Sequence, residues 1–233
     1  ISSYSDDIIE DINRGHWEVF ESFNDEFDKK SWILKVPKDE TLVARDPLCD
    51  INLRAVCGID FGTKSTVVVC RDKEEILLRI GGGELLCEPR SDDYENPTVI
   101  QLKNYESFKT AYVSKLGRPY TSWEDICVSH QAANAIYNGD LNSLSNKRCL
   151  YSIFSELKQW ANSKDRKQIL QDETGNIIHL NPYLSLTDTD FDPIEIYAYY
   201  LGLYINNMHR GIYLKYLLSF PVNYPKAVRT KIL

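Results

Sequence analysis

A polar turn between two apolar stretches carries residue types that bind phosphate and a divalent cation. Residues 55–59 and 66–70 are the two stretches, and the turn between them reads Asp60-Phe61-Gly62-Thr63-Lys64-Ser65. A tight turn at Gly62 can aim several backbone N–H groups at one set of anionic oxygens, and the two hydroxyls add donors. A carboxylate such as Asp60, at the end of a buried strand, can hold water on Mg²⁺. The pattern predicts a phosphate-binding hairpin, with an ordinary β-turn as the alternative.

The elements around this turn are predicted to be strands. The apolar run 55–59 is typical of a buried strand, and the β-branched run 66–70 of its neighbour. Three glycines at 81–83 permit a reversal between strands at 75–80 and 84–88. Another strand is predicted over 96–102. The body of the chain thus opens as a β-meander rather than a βαβ unit.

The second half of the body is predicted to be mainly helical. Residues 130–137 are rich in Ala, and one apolar helix face is marked by Leu150, Ile153, Phe154, Leu157 and Ala161, with Lys158 at its edge. Asp192 is a predicted N-cap for a helix that runs to about Met208. Residues 216–220 predict a buried strand that ends at Pro221, and Pro225 opens a final helix. Strands and helices together indicate an α/β fold.

Charge divides the chain into two predicted parts. The net charge is −7, and residues 1–30 hold nine acidic and three basic residues, which leaves −1 for the remainder. We therefore expect an acidic amino-terminal extension over 1–53 and a domain over 54–233, and the lack of a basic face speaks against nucleic-acid binding. Phe20, Phe23 and Phe27 recur at helical spacing. A helix there would either pack on its own domain or dock a protein partner, and both interpretations stay open.

The expected compartment is the cytoplasm. No apolar run reaches the roughly 18 residues that span a bilayer, and residues 1–10 lack the pattern of a signal peptide. The six cysteines are at least eight residues apart, which excludes the Cys-x-x-Cys spacing of zinc ribbons. Three of them, Cys57, Cys70 and Cys87, lie in apolar stretches. We therefore expect them to be buried, reduced thiols.

Residues 56–63, Val-Cys-Gly-Ile-Asp-Phe-Gly-Thr, resemble the first phosphate motif of the 70-kilodalton heat-shock chaperones, members of the actin-like ATPase superfamily. Further segments follow in that family's order: Asn96-Pro97-Thr98-Val99-Ile100, His130-Gln131-Ala132-Ala133-Asn134, Phe154-Ser155-Glu156-Leu157-Lys158 and Phe220-Pro221-Val222-Asn223-Tyr224, with Arg229 eight residues after the proline. The resemblance covers about residues 54–233. Its strength lies in the shared order and spacing of segments that are weak singly.

The resemblance implies the first lobe of an actin-like, ribonuclease H-like ATPase domain, a mixed β-sheet flanked by helices. Asp60 would be catalytic and hold Mg²⁺ through water, and Lys158 would be the catalytic lysine near the γ-phosphate of ATP. The phosphates of ATP would be wrapped by Gly62, Thr63, Lys64 and Ser65. Pro221 and Arg229 would couple the nucleotide state to a client-binding domain. That domain and the second lobe would lie beyond residue 233.

Two departures from the family pattern keep other functions open. The family usually has a small residue where this chain has Lys64, and its second phosphate motif, Asp-x-Gly-Gly-Gly-Thr, is absent. An ATP-hydrolysing chaperone-like protein is the leading hypothesis. A degenerate scaffold that works through residues 1–30 is the second, and a small-molecule kinase of the same superfamily is the third. With half of the cleft missing, we expect this chain alone to bind nucleotide weakly and to be inactive.

Overall fold

The computed structural model describes residues 51–81, 90–114, 117–118, 121–137, 144–209, 211–221 and 223–233. The predicted acidic arm, most of the predicted extension, and the strand predicted at 84–88 lie outside these residues. The strands are β1 Ile51–Asn52, β2 Val56–Phe61, β3 Ser65–Arg71, β4 Glu75–Leu78, β5 Asn96–Pro97, β6 Ile100–Leu102, β7 Ile126–Val128, β8 Ile153–Phe154, β9 Gln168–Gln171, β10 Ile177–Leu180, β11 Ile212–Tyr213 and β12 Tyr216–Ser219.

The α-helices are α1 Tyr105–Ser114, α2 His130–Tyr137, α3 Leu144–Tyr151, α4 Leu157–Asn162, α5 Pro193–His209 and α6 Lys226–Ile232. Short 3₁₀ turns cover Ser91–Tyr94 and Tyr183–Ser185. The described chain is therefore a mixed α/β protein, as the sequence predicts.

The main sheet has the strand order β12-β2-β3-β4, and β5 also pairs with β3. Strands β2, β3 and β4 are antiparallel neighbours, which confirms the predicted meander. Strand β12 returns from the far end of the chain and lies parallel to β2, with Ser219 opposite Asp60. The sheet is thus mixed, and its β2–β3 hairpin carries the predicted turn.

The strand predicted over 96–102 is two strands in different sheets. Strand β5 pairs with β3, whereas β6 pairs with β7 and β8 in a second sheet. The side-chain amide of Asn96 donates to the carbonyls of Thr66 at 3.0 Å and Leu78 at 3.1 Å. Pro97 has no N–H with which to extend the ladder. Asn96 and Pro97 thus attach the chain to the main sheet, and β5 ends at Pro97.

The single helix predicted across Leu150 to Ala161 is wrong. Helix α3 ends at Tyr151, Ile153 and Phe154 form β8, and α4 begins at Leu157. The register pairs Phe154 with Ile100 of β6, and both side chains are buried. Pairing with a buried strand has overridden the helical spacing of the apolar residues, because short local propensities yield to tertiary contacts.

The predicted start of α5 is confirmed. The Asp192 carboxylate accepts the N–H of Ile194 at 2.8 Å and of Glu195 at 3.2 Å, which is the geometry of an N-cap. The helix runs to His209, and its Tyr197 ring lies 6.0 Å from the Phe61 ring, centre to centre. This contact packs the long helix against the strand that ends at the predicted turn.

Two expectations about the main sheet need correction. Cys57 and Cys70 face each other across β2 and β3 and form a disulfide rather than two reduced thiols. The predicted strand at 216–220 does form, as β12, but it is not buried: Leu217 is 67% exposed. Within the described sheet β12 pairs only with β2, so its second edge is open.

Among the described helices, none has both the length and the apolar character needed to cross a membrane.

Candidate functional site

Asp60 lies near the carboxyl end of β2 with its side chain exposed. Its partner in the parallel register is Ser219, the last residue of β12, and the Ser219 hydroxyl donates to the Asp60 carboxylate. The carboxyl ends of the two parallel strands therefore meet at the same edge of the sheet. One carboxylate oxygen is held by this contact, and the exposed side chain remains open to a ligand.

The turn after Asp60 requires glycine at position 62. A Cβ on Gly62 would overlap the backbone oxygen of Ser65 and lie 3.2 Å from its carbonyl carbon. Real Cβ atoms do not approach backbone that closely, and backbone cannot move aside cheaply. Thr63 and Lys64, at the tip, are exposed, and Ser65 is half-buried at the start of β3. The tip thus presents two polar side chains to solvent.

Lys158 reaches this turn from α4. Its side chain is largely buried, with 7% of the residue exposed, and its ammonium group donates to the backbone carbonyl of Phe61. The Nζ atom also lies 5.5 Å from the centre of the Phe61 ring and 5.8 Å from that of Tyr224, within the range of cation–π attraction. Burial lowers the pKa of Lys158, and the nearby Asp60 carboxylate partly opposes this shift.

The segment that follows β12 also packs against Lys158. Pro221 accepts a hydrogen bond from the N–H of Tyr224 at 3.1 Å, which closes a turn. The Tyr224 hydroxyl then donates to the backbone carbonyl of Lys158 at 2.8 Å. Pro221 is therefore linked to the lysine through Tyr224, whereas the Arg229 side chain is exposed on α6.

The structure thus brings together Asp60, the turn 62–65 and Lys158, which are up to 98 positions apart in the sequence. Pro221 is linked to this group through Tyr224, and the Arg229 side chain is exposed on α6. Three further residues contact Asp60 or Lys158 and are not among the predicted site residues: Phe61, Ser219 and Tyr224. A parallel pairing of 216–219 with 57–60 would have identified Ser219, but nothing in the sequence alone indicates the Tyr224 hydrogen bond.

The residues present suit a weakly held, hydrated magnesium ion better than an all-protein metal cage. Within the part of the chain that the structure describes, no group of three or more His, Cys, Asp or Glu side chains converges. A single exposed carboxylate is compatible with Mg²⁺, which keeps several of its waters and often uses one or two carboxylates together with substrate phosphates. Asp60 is the residue that would hold such an ion.

A separate apolar groove of about 540 Å³ lies between α5, β12 and the end of α6. Ile59 and Phe61 line it from β2, and Tyr216 and Leu218 line it from β12. Asp60 is not part of its wall, because side chains alternate between the two faces of a strand. The groove and the polar site therefore occupy different places on the main sheet.

Comparison with protein-family models and with curated proteins finds no match to this chain.

Proposed function

We propose that this chain is the first lobe of an actin-like ATPase domain of the 70-kilodalton heat-shock type. In its full-length form the protein would bind Mg-ATP and couple hydrolysis to a conformational change. One observation carries the proposal: an exposed carboxylate and a glycine turn from one segment meet a buried lysine from a segment 98 positions away, at one edge of a mixed sheet. That set of groups suits a triphosphate with its cation.

Phosphoryl transfer asks a protein mainly for positioning and charge stabilisation. The ATP cofactor would bring the phosphoryl group, and Mg²⁺ would neutralise part of its charge. Asp60 would hold the hydrated ion, and the backbone of residues 62–65 would contact the phosphate oxygens. Lys158 has an ammonium group that now donates to the Phe61 carbonyl, and near the γ-phosphate it would stabilise negative charge.

The test is isothermal titration with Mg-ATP on the full-length protein, combined with single-turnover hydrolysis. We expect Asp60→Asn to slow hydrolysis by at least about tenfold while the protein stays folded, since the carboxylate that would hold the hydrated ion loses its charge. Asp72→Asn, at an exposed carboxylate in the turn between β3 and β4, is the matched control. Unchanged hydrolysis in Asp60→Asn would refute the assigned role.

A scaffold without catalysis is the second candidate. The contact between Lys158 and the Phe61 carbonyl favours it, because a lysine committed to the backbone is not available to a phosphate. Lys64 at the tip also departs from the small residue of the chaperone pattern. Absence of Mg-ATP binding to the full-length protein would favour the scaffold, and residues 1–30 would then be its proposed docking segment. Phosphorylation of a sugar or an acid would instead support a small-molecule kinase.

The chain of 233 residues, taken alone, is expected to bind nucleotide weakly and to be inactive. The proposed second lobe would supply the other wall of the cleft. Micromolar affinity for ATP, measured by titration of residues 1–233, would contradict this part of the proposal.

A further inference from the structure

The turn at 62–65 is held from its buried side by one residue, Thr98. The Thr98 hydroxyl donates to the carbonyl of Gly62 at 3.0 Å, and its backbone N–H donates to the carbonyl of Lys64 at 2.9 Å. Thr98 is only 1% exposed. The carbonyls of Gly62 and Lys64 are thus both fixed by one buried residue.

This fixation sets the direction of two backbone donors. In a trans peptide the C=O and the following N–H point in opposite directions, and the described chain contains no cis peptide. Because the Gly62 and Lys64 carbonyls point toward Thr98, the N–H groups of Thr63 and Ser65 point away from it. They are therefore directed to the side of the turn that is opposite the buried threonine.

The Thr98 side chain is itself held in place. Its hydroxyl lies 2.9 Å from the hydroxyl of Thr66. A hydroxyl has one proton to donate, and that of Thr98 goes to Gly62, so Thr66 is the donor in this contact. The preceding residue is also fixed, because the Tyr197 hydroxyl donates to the Pro97 carbonyl at 3.0 Å.

We propose that Thr98 is a positioning residue that orients the Thr63 and Ser65 N–H groups for phosphate oxygens. The inference rests on the proposed function for its ligand, since Thr98 would act through the turn and would not touch nucleotide. It assigns the orientation of the phosphate-binding backbone to a residue 33 or more positions away from the turn.

Three variants separate this role from general stability. Thr98→Val removes the hydroxyl and keeps the β-branched shape and the backbone N–H, and Thr98→Ser keeps the hydroxyl. Thr121→Val is the matched control, because buried Thr121 also donates its hydroxyl to a backbone carbonyl, that of Arg118, at 2.7 Å. Both valine variants should lose stability, and Thr98→Val should lose more, because it removes the bond to Gly62 and the bond from Thr66 whereas Thr121→Val removes one.

The first readout is titration of the full-length protein with Mg-ATP and with adenosine. We expect Thr98→Val to weaken ATP binding about five- to tenfold, the effect of one lost hydrogen bond. Adenosine binding should not change, and Thr98→Ser and Thr121→Val should bind ATP like the wild type. An unchanged ATP affinity in Thr98→Val, or an equal loss for ATP and adenosine, would overturn the inference.

The second readout needs no nucleotide and so separates this inference from the proposed function. In ¹⁵N NMR spectra, Thr98→Val should shift the amide signals of Thr63 and Ser65, and Thr121→Val should not. If the wild type does not bind ATP, the proposed function fails while this readout still decides the orienting role. Amide signals at both positions that do not move in Thr98→Val would refute that role.

Discussion

The hydroxyl of Tyr224 donates a hydrogen bond of 2.8 Å to the backbone carbonyl of Lys158. Tyr224 is 5% exposed and Lys158 7%, so the bond is shielded from water. It joins the turn that follows β12 to helix α4, and these segments are 66 positions apart. The lysine is therefore fixed at two points, by its backbone through Tyr224 and by its ammonium group through the Phe61 carbonyl.

Replacement of Tyr224 by Phe tests this attachment with the loss of a single oxygen atom. We expect the free energy of unfolding to fall by about 1–2 kcal/mol, because a buried hydrogen bond to the Lys158 carbonyl is lost. Urea denaturation measures the change. Tyr151→Phe, at a position 68% exposed, is the control and should have almost no effect. Equal stability of the two variants would show that the Tyr224 hydroxyl does not hold α4.

The turn at Gly62 allows a test of steric necessity. Gly62→Ala places a methyl group against the Ser65 backbone, and we expect a loss of about 2–3 kcal/mol, in the range of overpacked sites. Gly202→Ala, in helix α5, is the matched control, because nothing lies within 4 Å of its added Cβ. It should stabilise the protein by roughly 0.5–1 kcal/mol, since Ala favours a helix. Thermal unfolding of both variants measures the two changes in stability. A Gly62→Ala protein as stable as the wild type would contradict the turn geometry.

The sequence allowed the strands and the turn to be predicted where local pattern and tertiary environment agree. The runs 55–59 and 66–70 are short, apolar and rich in β-branched residues, so the hairpin and its polar tip followed directly. The N-cap at Asp192 could likewise be predicted, because its carboxylate bonds only to N–H groups two and three positions further along the chain. Where a distant partner decides, the prediction failed: Ile153 and Phe154 have helical spacing with their neighbours but pair with β6.

The contacts that complete the site could not be predicted from local sequence patterns, because they join residues that are far apart in the chain. Lys158 was predicted from a resemblance, but its approach to Phe61 depends on how α4 packs, which no spacing encodes. Thr98 lies in a segment that was predicted as part of one strand. Its backbone bond to Lys64 directly follows the Ser65–Pro97 pair, so the contact depends on the pairing of β5 with β3. Such long-range contacts need the assembled core before they can be recognised.

Asp192 makes the stability depend on pH. Burial raises the pKa of this carboxyl from 3.8 to about 6, although hydrogen bonds from the N–H groups of Glu195 and Ile194 oppose the rise. Between these values the folded protein binds more protons than the unfolded chain, so this group's contribution to stability decreases as the pH rises. The contribution is fully present below pH 4 and lost above about pH 6.

Asp192→Asn removes this titration and keeps an N-cap side chain. Between pH 4 and pH 7.5 we expect the stability of the wild type to fall relative to the variant by about 1–2 kcal/mol, given about 1.4 kcal/mol per pKa unit and some solvent access. Urea unfolding of both proteins at the two pH values measures the difference, and other titrating groups cancel in the comparison. A difference that is the same at both pH values would contradict the raised pKa.

The ion pair between Arg118 and Glu195 differs sharply in environment from that between Arg71 and Glu75. The Arg118 side chain is 4% exposed and lies 2.8 Å from the Glu195 carboxylate, whereas the Arg71 and Glu75 side chains are 73% and 68% exposed and 3.8 Å apart. The Arg118 guanidinium also donates to the Tyr112 carbonyl at 2.9 Å and lies 3.7 Å from the Tyr112 ring centre. The charge of Arg118 therefore depends on Glu195 for neutralisation.

Glu195→Gln leaves that guanidinium buried without its counter-charge and should lower the free energy of unfolding by about 2–3 kcal/mol. The estimate stays below the range for fully buried pairs because the Glu195 side chain is 39% exposed. Glu75→Gln makes the same chemical change in the exposed pair, where we expect less than about 0.5 kcal/mol. Urea denaturation at low and high salt measures both, and only the effect of Glu75→Gln should vanish at high salt, because screening acts on exposed charges. Equal losses in the two variants would show that burial does not set the value of the Arg118–Glu195 pair.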